Sequence, residues 1–134
     1  MKWAASLTRI ANHEVETLQK RLAEVVERRT QTELRLALLD AEAEAEADNA
    51  RVDPEAAMFH PQFVKGWRHR RERIEAQIAG IAAEEAGARD ALTRAFEELK
   101  KYEQVVETAK VLEAKEAARR ETAMLDELGL RAAR

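Results

Sequence analysis

Only two prolines interrupt this chain of 134 residues, at positions 54 and 61, and the stretches on either side carry apolar residues in alternating steps of three and four. Such steps keep one stripe of an α-helix against a partner helix, whereas a half-buried strand requires alternation at every second residue. In the first stretch the stripe reads Val15, Leu18, Leu22, Val25 and, after a polar gap, Leu36, Leu39 and Ala43. Arg29 and Thr32 hold the seam positions inside the gap. They form a polar waist that costs stability and helps to fix register, with the Arg29 head group expected to snorkel to water. The second stripe reads Trp67, Ile74, Ile78, Ile81, Ala88, Leu92, Ala95, Leu99, Tyr102, Val106 and Ala109, broken at Glu85. Gly80 and Gly87 each cost roughly 1 kcal/mol relative to Ala inside a helix, so this spot is expected to bend or to admit a partner helix at close range.

Between the stripes lies Asn49 to Pro61. Proline suits the first turn of a helix and not its interior, so Asp53-Pro54 is expected to cap a short helical turn and His60-Pro61 to start the second long helix. Helix one is placed at about 3–49, the connection at about 50–60 and helix two at about 61–128. At 1.5 Å per residue the two helices measure roughly 70 and 100 Å. The segment Asp40 to Asp48 alternates Glu or Asp with Ala in the manner of a strand, but both are poor strand formers and Ala and Glu are good helix formers, so helix one runs through it.

A hairpin closing near residue 55 sets each residue i opposite 110 − i. Leu18 then faces Leu92, Val15 faces Ala95, Leu36 faces Ile74, and the acidic run Asp40 to Asp48 faces Lys65, Arg68, Arg70, Arg71 and Arg73. Exposed ion pairs contribute only ~0.2–1 kcal/mol each, but like charges would oppose the pairing, so the complementarity favours a partner helix in the same chain. The same register leaves about the last 25 residues without a partner from helix one. That overhang carries Val111, Leu112, Met124, Leu125, Leu128 and Leu130, and an isolated helix is marginal in water. The expected fold is therefore all-α: one domain over residues 1–134, two long helices in an antiparallel coiled-coil hairpin, the second overhanging the first. The overhang is a candidate binding surface, with a frayed end or a homodimer contact as the alternatives.

Composition excludes several function classes. The net charge of −3 and isoelectric point near 5.7 supply no general attraction to nucleic acid or anionic lipid. Cysteine is absent, so there is no disulfide, thiolate metal site or cysteine nucleophile. The start, Met1 to Leu7, is too short an apolar run for a signal peptide, no stretch reaches ~20 apolar residues, and the expected location is the cytoplasm. No phosphate-binding loop can be built from Gly66, Gly80, Gly87 and Gly129. His13, His60 and His69 have no metal or catalytic spacing, and the carboxylates lie on solvated helix faces. No catalytic residue, cofactor site or metal site is expected; the chain is read as a non-enzyme. The basic run Trp67 to Arg73 faces an acidic segment instead of standing bare as a DNA-binding basic region does. Phe59, Phe63 and Trp67 gather three of six aromatic residues near the turn; Trp67 lies on the seam, which leaves Phe63 the better contact candidate.

The ending Ala117-Ala118-Arg119-Arg120-Glu121-Thr122-Ala123-Met124-Leu125-Asp126-Glu127-Leu128, followed by Arg131, resembles the C-terminal signature of FliJ proteins, and the length agrees. Members are small cytoplasmic helical hairpins of the flagellar type III export apparatus. The resemblance implies a stalk, like the γ subunit of rotary ATPases, that stands in the hexameric export ATPase, promotes its assembly and activity and reaches the cytosolic domain of the export gate protein FlhA, with export substrate chaperones as further partners. It implies ATPase contacts at Met124, Leu125, Asp126 and Arg131 and gate contacts at Leu38, Phe63 and Trp67. Ala41 and Ala45 stand where some members have aromatic residues, a departure from the family pattern. The alternative is a free-standing coiled-coil adaptor or export substrate chaperone that does not act on the ATPase ring.

Overall fold

The computed structural model describes residues 2–133. They form two helices, α1 (Lys2–Val52, 51 residues) and α2 (Pro54–Ala132, 79 residues), with no strand among the described residues. The chain is an antiparallel helical hairpin that divides into two units, Thr17–Leu92 and Met1–Glu16 with Thr93–Arg134.

In the unit Thr17–Leu92, cross-helix pairs join Arg28 to Glu84, Arg29 to Glu85, Asp40 to Arg71 and Glu42 to Arg70. The first, third and fourth lie one or two residues from the register expected for a turn centred at residue 55. The expected meeting of acidic and basic runs is present at Asp40 and Glu42. Asp48 instead pairs with Arg51 on its own helix at 3.5 Å. In the other unit the core is made of small side chains, with Ala4, Ala11 and Val15 buried on α1 and Ala95 and Leu99 on α2. Every seam residue named above is buried or half-buried.

The polar gap in the first seam and the break in the second turn out to be one feature. Glu85 is 5% exposed, and its carboxylate accepts hydrogen bonds from Arg29 Nη1 across the seam and from Arg89 Nη2 at 3.0 Å on its own helix. Thr32 is also buried, and its hydroxyl donates to the Arg28 carbonyl at 2.8 Å. Arg29 is therefore a partner inside the seam, where a snorkelling head group was expected. Its Nε is buried without a hydrogen bond, 3.7 Å from Glu33. The sequence register had set Arg29 against Ile81, four residues from Glu85, and hidden this pairing.

The connection is also shorter than the expected 50–60, since only Asp53 separates the helices. Asp53 Oδ1 accepts from the Glu55 amide at 3.0 Å as an N-cap, and Pro54 follows in the first turn, where its missing N–H costs nothing. Pro61 lies inside α2 and does not start it. A proline there gives up the bond to the Ala57 carbonyl. Ala56, His60, Phe63 and Trp67 nevertheless stay half-buried in seam steps across it, so packing on this stripe outweighs one lost bond.

Gly80 and Gly87 admit no close neighbour. A Cβ at either would meet nothing within 4 Å, and neither has positive φ. Their conformational freedom is thus a loss with no packing return. G80A and G87A are each expected to stabilise the chain by ~0.4–1 kcal/mol, read as a higher urea midpoint at unchanged slope.

Candidate protein-binding surfaces

While Trp3, Ile10 and Leu34 are exposed elsewhere, two surfaces with exposed apolar side chains contain the expected contact residues. The first is the end of α2. The seam steps reach Ala109 and, continued, fall on Glu113, Glu116, Arg120, Ala123 and Glu127, so the stripe that pairs the helices becomes polar. All described residues from Lys110 onward are exposed. Apolar side chains move to other positions of the helix: Val111 and Leu112, then Met124, Leu125, Leu128 and Leu130, with Met124 65% and Leu125 62% exposed. Met124 and Leu125 lie four and three residues before Leu128, which puts the three on one stripe. Helicity is supported by ion pairs four residues apart, Glu116–Arg120 at 2.8 Å and Glu127–Arg131 at 3.0 Å. Of the residues implied as ATPase contacts, Met124, Leu125, Asp126 and Arg131 all fall in this exposed segment within two helical turns.

The second surface lies in the unit Thr17–Leu92 beside the connection. Leu38 is exposed and lines a shallow groove of about 420 Å³ with Arg35, Leu39, Arg70 and Ile74. Phe63 is half-buried, stacks on His60 at 6.2 Å and lies under the Arg70 guanidinium at 5.9 Å. Arg70 thus joins Leu38 and Phe63. Trp67 lines a different groove, with Asp40, Arg68 and Arg71. Its indole N–H donates to the Leu39 carbonyl at 3.2 Å and the Arg71 guanidinium covers its ring at 5.9 Å, so much of its contact capacity is used within the chain. Arg71 is held by Asp40 through two bonds, at 3.0 and 3.4 Å, and also pairs with Glu75. The hydrogen bond to Asp40 raises the Arg71 pKa above its ordinary value, against a smaller loss of hydration.

A family model described as "Flagellar FliJ protein" matches residues 4–134. The chain belongs to the FliJ family. Two curated Caulobacter vibrioides proteins named "Flagellar FliJ protein", from strains NA1000 / CB15N and ATCC 19089 / CIP 103742 / CB 15, are each 58% identical to it over 132 residues, covering 98% of this chain and 95% of theirs. No solved structure matches it significantly. Membership of the FliJ family makes the chain a flagellar export component, and no described helix is long and apolar enough to cross a membrane.

For this FliJ-family chain, sequence reasoning missed two exposed residues beside the connection, Val52 at 83% and Met58 at 75% exposure, which adjoin exposed Phe59. Their signal was available, because both fall off the seam steps. The ion pairs around the second surface are partly solvated and individually worth ~0.2–1 kcal/mol. Reversing two of them at once, R70E with R71E, replaces attraction by repulsion at Glu42 and Asp40 and is expected to lower the melting temperature by ~3–8 °C. Adding D40R and E42R should recover most of that loss, as followed by circular dichroism.

Proposed function

We propose that this FliJ-family chain is the stalk of the flagellar type III export machinery: it binds the hexameric export ATPase through the end of α2, promotes ring assembly and activity, and links the ring to the cytosolic domain of the export gate. The observation that carries this reading is the unpartnered end of α2, whose apolar residues leave the intrachain seam and stand in solvent beyond Ala109. A helix with this pattern is completed by a surface on another protein. Met124 and Leu125 supply the apolar contact, while Asp126 and Arg131 are exposed charges on the same two turns.

The activation is allosteric in the thermodynamic sense. A segment that contacts several ATPase subunits together binds the assembled ring more tightly than free subunits, so its presence shifts the equilibrium toward the ring by that difference in affinity. The gate contact is assigned to Leu38, Phe63 and Trp67, with Arg70 bridging the first two. Phe63 presents an aromatic side chain of the kind that anchors protein interfaces.

The test is ATP hydrolysis by the cognate export ATPase with and without the chain. Full-length protein is expected to stimulate turnover and a chain lacking residues 111–134 to abolish the stimulation. M124A with L125A should weaken binding ~10–100-fold, as for loss of interface anchors, with the circular dichroism of the hairpin unchanged. Undiminished stimulation by the truncated chain removes the assignment. Retention of export substrate chaperones but not the ATPase in a pull-down favours the adaptor reading.

A further inference from the structure

The buried carboxylate of Glu85 and the half-buried guanidinium of Arg29 have no part in either binding surface, and a seam of this kind is often as stable or more stable when such positions are apolar. Their placement matters through what surrounds them. One heptad to either side along α2, the residues that would replace Glu85 opposite Arg29 are Ile78 and Leu92. One heptad to either side along α1, those that would replace Arg29 opposite Glu85 are Leu22 and Leu36. Every one-heptad slip therefore sets a charged side chain against an aliphatic one on both helices. The seam positions next to it are mostly Leu, Ile, Val and Ala, which discriminate weakly among registers, so within the seam this layer adds to what the Asp53 reversal and the Asp40–Arg71 and Glu42–Arg70 pairs set near the turn. Parallel pairing of two copies of α2 in register sets Glu85 against Glu85, and parallel pairing of two copies of α1 sets Arg29 against Arg29.

The geometry points to a register lock: the layer of Arg29, Glu85 and Arg89 selects one alignment of α1 on α2 and rejects both slipped hairpins and parallel pairing between copies. Arg89 reinforces it by holding the second carboxylate oxygen of Glu85, at 3.0 Å. Arg28 and Glu84 form a second cross-helix ion pair beside it, on exposed side chains. A single polar pair inside an apolar seam is an effective means of fixing alignment.

Double electron–electron resonance measures the alignment directly. Spin labels at E24C and A76C, both at exposed positions, are the only thiols because the chain has no cysteine. A slip of one heptad moves one label past the other by ~10 Å along the axis. The otherwise unaltered labelled chain is expected to give one distance. R29L with E85L is expected to melt no lower and to give two or more distances separated by several Å, or a doubled molar mass in light scattering. The exchanged set R29E, E85R and R89E should return to a single distance and the wild-type mass. A single wild-type distance with unchanged mass in R29L/E85L overturns the proposal, and so does a mixture of distances in the exchanged set.

Discussion

Two stripes of side chains, each advancing by three and four residues, must stay in step for this chain to fold back on itself. The burial pattern keeps the steps through the points that would be expected to break them: through Arg29 and Thr32 on α1, and through Pro61 and Glu85 on α2. Most of the larger of these side chains are only half-buried, and several of the buried ones are alanine. The seam therefore gains little from any one contact and much from length, since each turn adds a modest apolar area. A pairing of this kind tolerates a proline or a charged layer but would lose most of its burial if the two stripes fell out of register.

This dependence explains which parts of the fold were legible in the sequence. The seam residues Val15 to Ala43 and Trp67 to Ala109 could be read because their spacing reports the helical period directly. The helical state of Asp40 to Asp48 was legible from propensity, and the meeting of Asp40 and Glu42 with Arg71 and Arg70 from charge order. Register was less accessible. It depends on where the chain reverses, and the reversal occurs within one residue, Asp53, where two prolines had implied a longer connection. The expected register falls four residues short at Arg29 and separates it from Glu85, so two apparent defects in the seams concealed one interaction.

The same limit applies to the surfaces. Exposure at the end of α2 was legible because it requires only that α1 be shorter. The environment of Trp67 was not: Arg71, whose guanidinium covers its ring, lies one turn on in the same helix, but the hydrogen bond to the Leu39 carbonyl joins two helices at residues 28 apart in the chain. Arg70 joins Leu38 to Phe63 for a related reason: it is paired with Glu42 across the hairpin at 3.6 Å, and this ion pair brings its guanidinium to both. Side chains that stabilise the hairpin and those of the proposed gate contact are therefore interleaved on this surface, and a substitution at Arg70 or Trp67 alters the hairpin as well as that surface.

The end of α2 is different, because its exposed apolar residues are separated there from the seam that pairs the helices. Were the segment beyond Ala109 to bind another helix through a continuation of the intrachain seam, the contact would bury Glu113, Glu116, Arg120 and Glu127. Burying these charges, even with Glu116 paired to Arg120 and Glu127 to Arg131 on the same helix, is costlier than leaving them hydrated. The apolar residues Met124, Leu125 and Leu128 lie off that stripe, so a partner must approach from another side of the helix than α1 does. A surface rotated in this way cannot be satisfied by extending α1 along its present seam. The change of stripe after Ala109 therefore separates the exposed apolar residues of this segment of the FliJ-family chain from the face that packs on its own first helix.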